Sequence, residues 1–265
     1  MPVETALKTA LAAAAVLHAD ETGIRVVGQR AWVHVVSTAR LTHLAWHPKR
    51  GQAATTAIGI VPRHRGGLVH AAWAAYWHLP ARHARCNAHL LRDLAAVAEQ
   101  AGQRWAVALH TFLRAVYREI GGKRRAGVHT CPPPRLATLV RRYARLLTLG
   151  EAANPPPQRQ AGDPTRGRLK QSKARNLLDR LRAHADAVLA FLHDWTVPFD
   201  NNQAERDLRM LKVQQKVSGT FRDPASADAF CRLRSYIATL RKQGHALLLA
   251  LTRTLQGQPL LPSLA

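Results

Sequence analysis

The chain has 265 residues, 47% of them hydrophobic, so it is long and apolar enough to form a packed core, which excludes a disordered chain. It carries 39 Lys and Arg against 16 Asp and Glu, a formal net charge of +23. Such an excess favours a polyanionic partner, most often nucleic acid, with an anionic membrane as the alternative. Because the sequence has no apolar run of membrane-spanning length and its start lacks the basic region of a signal peptide, we expect a cytoplasmic protein with no membrane partner.

The N-terminal part of the chain predicts a meander of three strands. The expected strands cover residues 14–19, 31–37 and 41–47, followed by a short helix over 51–59 and a short strand over 67–71. Asp20 directly follows the first apolar run, so its carboxylate is expected at a strand end, where open sheets place ligand groups. A turn residue ahead of Gly23 is the alternative interpretation of Asp20.

Helical periodicity dominates the remainder. We expect a helix from residue 89 to about 120, Arg- and Leu-rich helices at about 135–149 and 165–194, and a last helix at about 225–254. Loops are expected at 121–125, 131–134 and 154–164. The basic run at 123–125 is either a solvated loop or a phosphate contact. Early strands and late helices together predict an α/β (α+β) domain with a helical insertion.

The three cysteines exclude two kinds of small scaffold. Cys86, Cys131 and Cys231 have neither the number nor the spacing of a disulfide framework or a four-cysteine zinc site. Cys86 and His89 form a two-residue cluster, which is weak evidence for a metal. A buried thiol beside a helix start is the favoured interpretation of Cys86.

The most informative segment covers residues 198–222. Pro198 with Asn201 or Asn202 is a helix start signal, and Gly219 is a stop signal. Within this helix one stripe carries a single acid and three cations, and the neighbouring stripe is apolar. The charged stripe consists of Glu205, Arg209, Lys212 and Lys216, and the apolar stripe of Ala204, Leu208 and Leu211.

Glu205 therefore lies at the border of the buried face. A plain interpretation is an ion pair between Glu205 and Arg209 on a solvated helix, worth about 0.2–0.5 kcal/mol. The chemical interpretation joins Glu205 to Asp20, because hard divalent cations bind carboxylates that different elements bring together.

Several motifs in the same order resemble one known family. They are DETG at 20–23, Trp32 with HVVST at 34–38, HPKRG at 47–51, CNAHLLRDL at 86–94, the whole segment 198–222, RSYI at 234–237 and KQG at 242–244. Together they resemble the catalytic domain of the bacterial insertion sequence 66 type transposases, over nearly all of the chain.

The resemblance implies a single RNase H-like domain over 1–265, with a mixed sheet flanked by helices and a helical insertion at about 95–195. It also implies a DDE mechanism, in which three acids bind two Mg²⁺ (or Mn²⁺) ions for DNA nicking and strand transfer. Asp20 matches the first acid and Glu205 the third. The implied partners are DNA and further copies of the chain in a DNA complex. Arg206, Arg209, Lys212, Lys216 and Arg222 would be phosphate contacts.

The chain departs from the family pattern at the second acid. That acid follows a hydrophobic residue and a His in its strand, and the corresponding position here is Ala71. His70 points to the other face of its strand, and Asp93 matches a different family position, so neither is expected to replace the acid. We therefore expect impaired catalysis, and the resemblance also implies that the N-terminal DNA-recognition region of the family is absent.

Two other functions fit parts of the sequence. A non-catalytic DNA-binding remnant with the same fold would explain both the charge and Ala71. A basic structural protein of a ribonucleoprotein would need no acid pair, so a shared site for Asp20 and Glu205 would count against it.

Overall fold

The computed structural model describes residues 2–158 and 169–264. It divides the chain into two compact units, Met1–His83 with Asn201–Ala265, and Ala84–Asp200. The insertion predicted at about 95–195 falls within the second unit, and its standing as an insertion into one domain stays a prediction. Among the described residues, no helix combines the length and apolar character needed to cross a membrane.

The first unit is built on a five-stranded mixed sheet in the order β3-β2-β1-β4-β5. Its strands are β1 Val16–Val26, β2 Gln29–Ser37, β3 Thr42–His47, β4 Gly67–His70 and β5 Arg82–Arg85. The first three strands form the predicted antiparallel meander, and β4 pairs parallel to β1. The predicted α/β class is confirmed, and this sheet with helices on its faces is consistent with an RNase H-like fold.

Helices cover both faces of this sheet. They are α1 Pro2–Ala13, α2 Gln52–Ile58, α8 Asn202–Ser218 and α9 Pro224–Lys242, and α10 Leu247–Leu255 packs against α9. One core lies between the sheet and α8 with α9, and includes Val33, Val35 and Leu208. The other lies on the opposite face beneath α1 and α2, and includes Leu11 and Leu68. Alternate residues of β1 and β2 therefore enter different cores.

Side chains of α9 cover the edge of β3. Ser235 Oγ accepts a hydrogen bond from Leu44 N at 2.8 Å, and Thr239 Oγ1 accepts one from Thr42 N at 3.0 Å. The Cys231 thiol takes a similar bond from the backbone of Trp46. Four helical residues rise about 6 Å and two strand residues about 6.8 Å, so side chains four apart match alternate strand residues. The edge strand is thereby closed to pairing with another chain.

A buried ion pair also joins α8, α9 and the β3 region. Lys242 Nζ lies 2.8 Å from Asp207 Oδ2, and it donates to the backbone carbonyls of Thr38 and Leu41. Asp207 also accepts hydrogen bonds from Thr42 and Gln203. Since both charges are hydrogen-bonded several times, the pair holds the two helices in register on the sheet.

The second unit is helical. Its helices are α3 Asn87–Ala101, α4 Arg104–Arg125, α5 Pro133–Ala153, α6 Lys173–Ala183 and α7 Ala185–His193. Their shared core is rich in Leu and aromatic side chains, among them Leu109, Leu147 and Trp105. A Cβ atom at Gly150 would lie 2.6 Å from Leu178 and 2.8 Å from Trp105, so only glycine allows α5 to approach these residues this closely.

Several predicted helix boundaries are wrong. The helix expected at 89–120 is two helices separated at Gly102, and the one expected at 225–254 is two helices separated at Gly244; both glycines have positive φ. The loop expected at 121–125 is the end of α4, where Lys123 pairs with Glu119 at 3.1 Å and cations complement the helix dipole. The helix expected at 165–194 is α6 and α7, and its first residues lie outside the described part of the chain.

The turn between β1 and β2 supplies a stability test. Val27 and Gly28 have φ of 50° and 73°, the geometry of a two-residue hairpin that favours Asn followed by Gly. Val27 is β-branched and 59% exposed, so it is strained there and contributes little burial. We expect Val27→Asn to raise the free energy of unfolding by about 1 kcal/mol in urea denaturation. Val27→Ala is the control, and equal stability of the two variants would contradict the strain at this position.

Candidate active site

Asp20 lies within a strand, which corrects the predicted strand end. β1 continues to Val26 because its antiparallel pairing with β2 extends to the Val26–Gln29 pair. The parallel pairing with β4, however, ends at His18 and Val69. Asp20 is therefore located where the parallel part of the sheet opens, although the strand itself runs on.

Asn201 anchors the start of α8 beside Asp20. Its Nδ2 donates to the carbonyl of Ala19 at 2.9 Å, and its Oδ1 lies 2.9 Å from Nδ1 of His18. Asn201 is fully buried, and its side chain makes no capping bond to the helix. The predicted capping role is wrong for Asn201, because its amide binds β1 instead.

The anchor places Glu205 on the Asp20 side of the sheet. Glu205 N donates to the carbonyl of Asn201 at 3.2 Å, so Glu205 lies one helical turn after the anchor. The predicted apolar stripe of α8 is buried, with Ala204 and Leu211 at 0% and 1% exposure, and Glu205 is half-buried at its border. The structure thus brings the two acids predicted to share a site to one face of the sheet.

The electrostatics of Asp20 reflect this setting. The pKa of Asp20 is raised from its ordinary value of 3.8 to about 6, chiefly by burial, and the charges of Glu21 and Glu205 contribute to this rise. A hydrogen bond from Glu21 N to Asp20 Oδ1 at 2.9 Å and the charge of Arg50 lower the pKa in part. Asp20 is therefore held in a place where its negative charge is unfavourable, which is typical of functional carboxylates.

Ala71 directly follows β4. The observed parallel pairing ends at His18 and Val69, and β4 ends at His70; extended by two residues, this register would match Ala71 to Asp20. Paired residues of neighbouring strands share a face of the sheet. A continuation of this register beyond β4 would put the methyl group of Ala71 beside Asp20.

Glu21 forms a second, fully described cluster that the sequence pattern missed. Its side chain is 3% exposed, and Arg50 binds Glu21 Oε1 through Nε at 3.0 Å and Nη2 at 2.7 Å. Tyr76 donates its hydroxyl hydrogen to Glu21 Oε2 at 2.7 Å, and burial raises the pKa of Tyr76 well above its usual range. Because residues alternate along a strand, Glu21 faces away from Asp20. Glu21 and Arg50 belong to the DETG and HPKRG motifs, and these motifs were the sequence signal that could have indicated this cluster.

The predicted phosphate contacts all lie on the surface. The exposed cations are Arg206, Arg209, Lys212, Lys216 and Arg222. Arg206 donates to Gln203 at 3.0 Å. Their exposure leaves them accessible to an anionic partner.

In the second unit, Cys86 is fully buried immediately before α3, as predicted for a structural thiol, and its sulfur lies 3.2 Å from Nδ1 of His89. Asp93, which was not expected to replace the second acid, forms an ion pair with Arg85 at 3.2 Å.

The raised pKa of Asp20 predicts a pH-dependent effect on stability. The folded state binds this proton more tightly than the unfolded state, so the free energy of unfolding falls as pH rises from about 4 through 6. Asp20→Asn should therefore stabilise the protein by about 2–3 kcal/mol at pH 7.5 and by little at pH 4. Denaturation curves at both pH values would measure this. Glu99→Gln on the exposed surface of α3 is the control, and an equal gain at both pH values would contradict the assignment.

Comparison with known proteins identifies the family. Searches of curated proteins and of solved structures returned no match. A model of the family described as "Transposase IS66 family" matches residues 1–229. That match includes β1, which carries Asp20, and all of α8, which carries Glu205. It also includes β4, which directly precedes Ala71. The chain therefore belongs to the IS66 family of transposases.

Proposed function

We propose that this chain is the DDE-type catalytic domain of an IS66 transposase, that it binds DNA, and that Ala71 impairs its metal-dependent nicking and strand transfer. The family makes DNA the substrate class and generally implies a divalent metal. The observation that carries the proposal is that Ala71 directly follows β4, whose parallel pairing with β1 ends two residues before Asp20. An acid at this position would complete a set of three with Asp20 and Glu205.

The donor set present fits a divalent cation only in part. Asp20 and Glu205 come from different elements and offer carboxylate oxygens, which Mg²⁺ and Mn²⁺ prefer. Two such ions bring four positive charges, whereas the two acids supply two negative charges. Glu21 cannot make up the difference, because it faces away and Arg50 and Tyr76 bind both of its oxygens. When bound, a pair of ions would activate the attacking and leaving oxygens of a phosphodiester.

The chain's own residues would supply DNA binding independently of the metal. The cations of α8 extend along one exposed stripe from Arg209 to Lys216, beside Glu205. A DNA phosphate held by this stripe would lie on the same face as Asp20. Self-association in a DNA complex belongs to the same proposal, since strand transfer joins two DNA molecules.

A non-catalytic DNA-binding remnant is the second candidate function. Ala71 favours it, because a methyl group cannot coordinate an ion, and the charge of +23 suits it equally well. The two candidates differ in whether any metal-dependent cleavage remains.

Restoring the acid should restore metal binding. We expect Ala71→Asp to bind Mn²⁺ at least about tenfold more tightly than the parent chain by calorimetry, since a third carboxylate adds charge and a ligand. We also expect the parent chain to leave supercoiled DNA uncut in Mg²⁺ or Mn²⁺. Ala74→Asp is the matched control, because it adds the same charge at an exposed position three residues away.

Two results would contradict this interpretation. If Ala71→Asp gained no more Mn²⁺ affinity than Ala74→Asp, residue 71 would not be the position of the second acid. If the parent chain cut DNA robustly and Asp20→Asn abolished the cutting, the impaired-site proposal would fail.

DNA binding should be salt-sensitive and largely independent of sequence. Each phosphate contact releases counterions, so the logarithm of the affinity falls by about 0.9 per contact for each tenfold rise in salt. We expect Arg209→Glu, Lys212→Glu and Lys216→Glu together to weaken duplex binding and to reduce this slope by about 3. Reversal of Arg40, Arg63 and Arg65, exposed outside α8, is the control. An unchanged slope in the α8 variant would exclude the stripe from DNA binding.

A further inference from the structure

Guanidinium and indole groups alternate on the sheet face opposite α8. The Cζ atom of Arg30 lies 4.8 Å from the ring centroid of Trp32, and that of Arg50 lies 4.7 Å from the same centroid. Arg50 is also 4.4 Å from the ring centroid of Trp73. We call this set of four residues, Arg30, Trp32, Arg50 and Trp73, the Arg–Trp ladder.

Local geometry builds the ladder. Arg30 and Trp32 are two apart in β2, so both side chains project from one face. Trp32 pairs with Gly23 of β1, and its indole ring lies against that residue, at van der Waals distance from where a Cβ atom would stand. Glu21 orients Arg50 through two hydrogen bonds. The rings and guanidinium groups are thereby held in place before any ligand arrives.

The charge around the ladder is strongly positive. Arg25 and Lys49 are exposed, and Arg25 is paired directly opposite Arg30 across the hairpin, an unfavourable pairing of like charges. Within the described part of the chain, Arg30 makes no ion pair with a carboxylate. Glu21 is the acid that binds the ladder, and its contacts with Arg50 and Tyr76 already satisfy it. Arg30 and Trp32 are therefore not needed as partners of the Glu21 carboxylate.

We propose that the Arg–Trp ladder binds an unpaired nucleotide of the DNA strand, with its base stacked on an indole and its phosphate held by Arg30. Half-buried indoles beside cations are the combination that recognises single strands, because every base has a flat face for stacking. This inference rests on the proposed function in taking DNA as the polyanion. It gives a role to Trp32 and Arg50, which the acid site does not use.

The ladder is close to the acid site along the chain. Asp20 and Glu21 are consecutive residues on opposite faces of β1, and Trp73 is two residues after Ala71. β4 ends at His70, so Ala71 and Trp73 both lie beyond the end of this strand. A single strand passing the end of β4 can thus contact both faces, with its phosphate at the acids and a neighbouring base at the ladder.

The test separates base stacking from charge. The probes are an oligothymidylate of about eight nucleotides, an abasic oligomer of the same length and a duplex. We expect the parent chain to bind the oligothymidylate about 5- to 100-fold more tightly than the abasic oligomer, with quenching of tryptophan fluorescence by the first alone. Trp32→Leu should remove this difference, and Trp32→Phe should keep most of it.

Two further variants complete the design. Arg30→Gln should weaken binding of the oligothymidylate and the abasic oligomer alike, because it removes a phosphate contact. Trp46→Leu is the control, since Trp46 projects from the other face of the sheet, where its Nε1 donates to Asp228 at 2.9 Å. It should leave the preference for bases unchanged.

Equal binding of the thymidylate and abasic oligomers by the parent chain would overturn the inference, and this result requires no variant to fold. Equal losses for both oligomers in Trp32→Leu would also overturn it, because they would indicate a structural role. If duplex binding persisted in either case, the result would contradict nucleotide binding by the Arg–Trp ladder but not the proposed function. If no DNA bound at all, the proposed function would fail as well.

Discussion

The site depends on the two contacts that the Asn201 amide makes with β1. These bonds fix the first turn of α8 against His18 and Ala19, so the helix carries Glu205 past Asp20 in a set position. Asn201 is fully buried, which makes loss of either bond costly, because the unpaired amide or carbonyl would have no water to bind. An ordinary helix-capping residue would stabilise α8 alone, whereas this one stabilises its docking.

The period of the strand divides the chemistry between the two faces of the sheet. Asp20 pairs with Val35, whose side chain lies in the core beneath α8, and Glu21 pairs with His34 on the opposite face. One residue of slippage in β1 would exchange the two acids. The register is fixed at a distance by α9, since Ser235 and Thr239 bind alternate residues of β3, and β3 in turn pairs with β2.

The sequence predicted the features that periodicity or a local signal determines. The alternation in β2, the apolar stripe of α8 and the stop at Gly219 are local patterns, and the structure has each of them. The full length of β1 was missed, because its polar residues Glu21 to Gly23 look like a turn until β2 is known to pair with them. Asn201 was assigned to capping for the same reason. Tertiary contacts determine the secondary structure and the hydrogen bonds of such residues, and a single sequence does not reveal those contacts.

Ala71 also has a consequence for stability that follows from the electrostatics of Asp20. The pKa of Asp20 is already raised to about 6, chiefly by burial, and the charges of Glu21 and Glu205 contribute to this rise. A third carboxylate beside Asp20 would add like-charge repulsion in the absence of a cation, so an intact acid set is less stable without metal than this one. The bonds that hold the unit together involve Asn201, Lys242 and Ser235 rather than residue 71. Under the proposed function, loss of the acid would therefore remove a metal ligand while leaving the fold supported, so the domain would keep its structure and the exposed cations of α8.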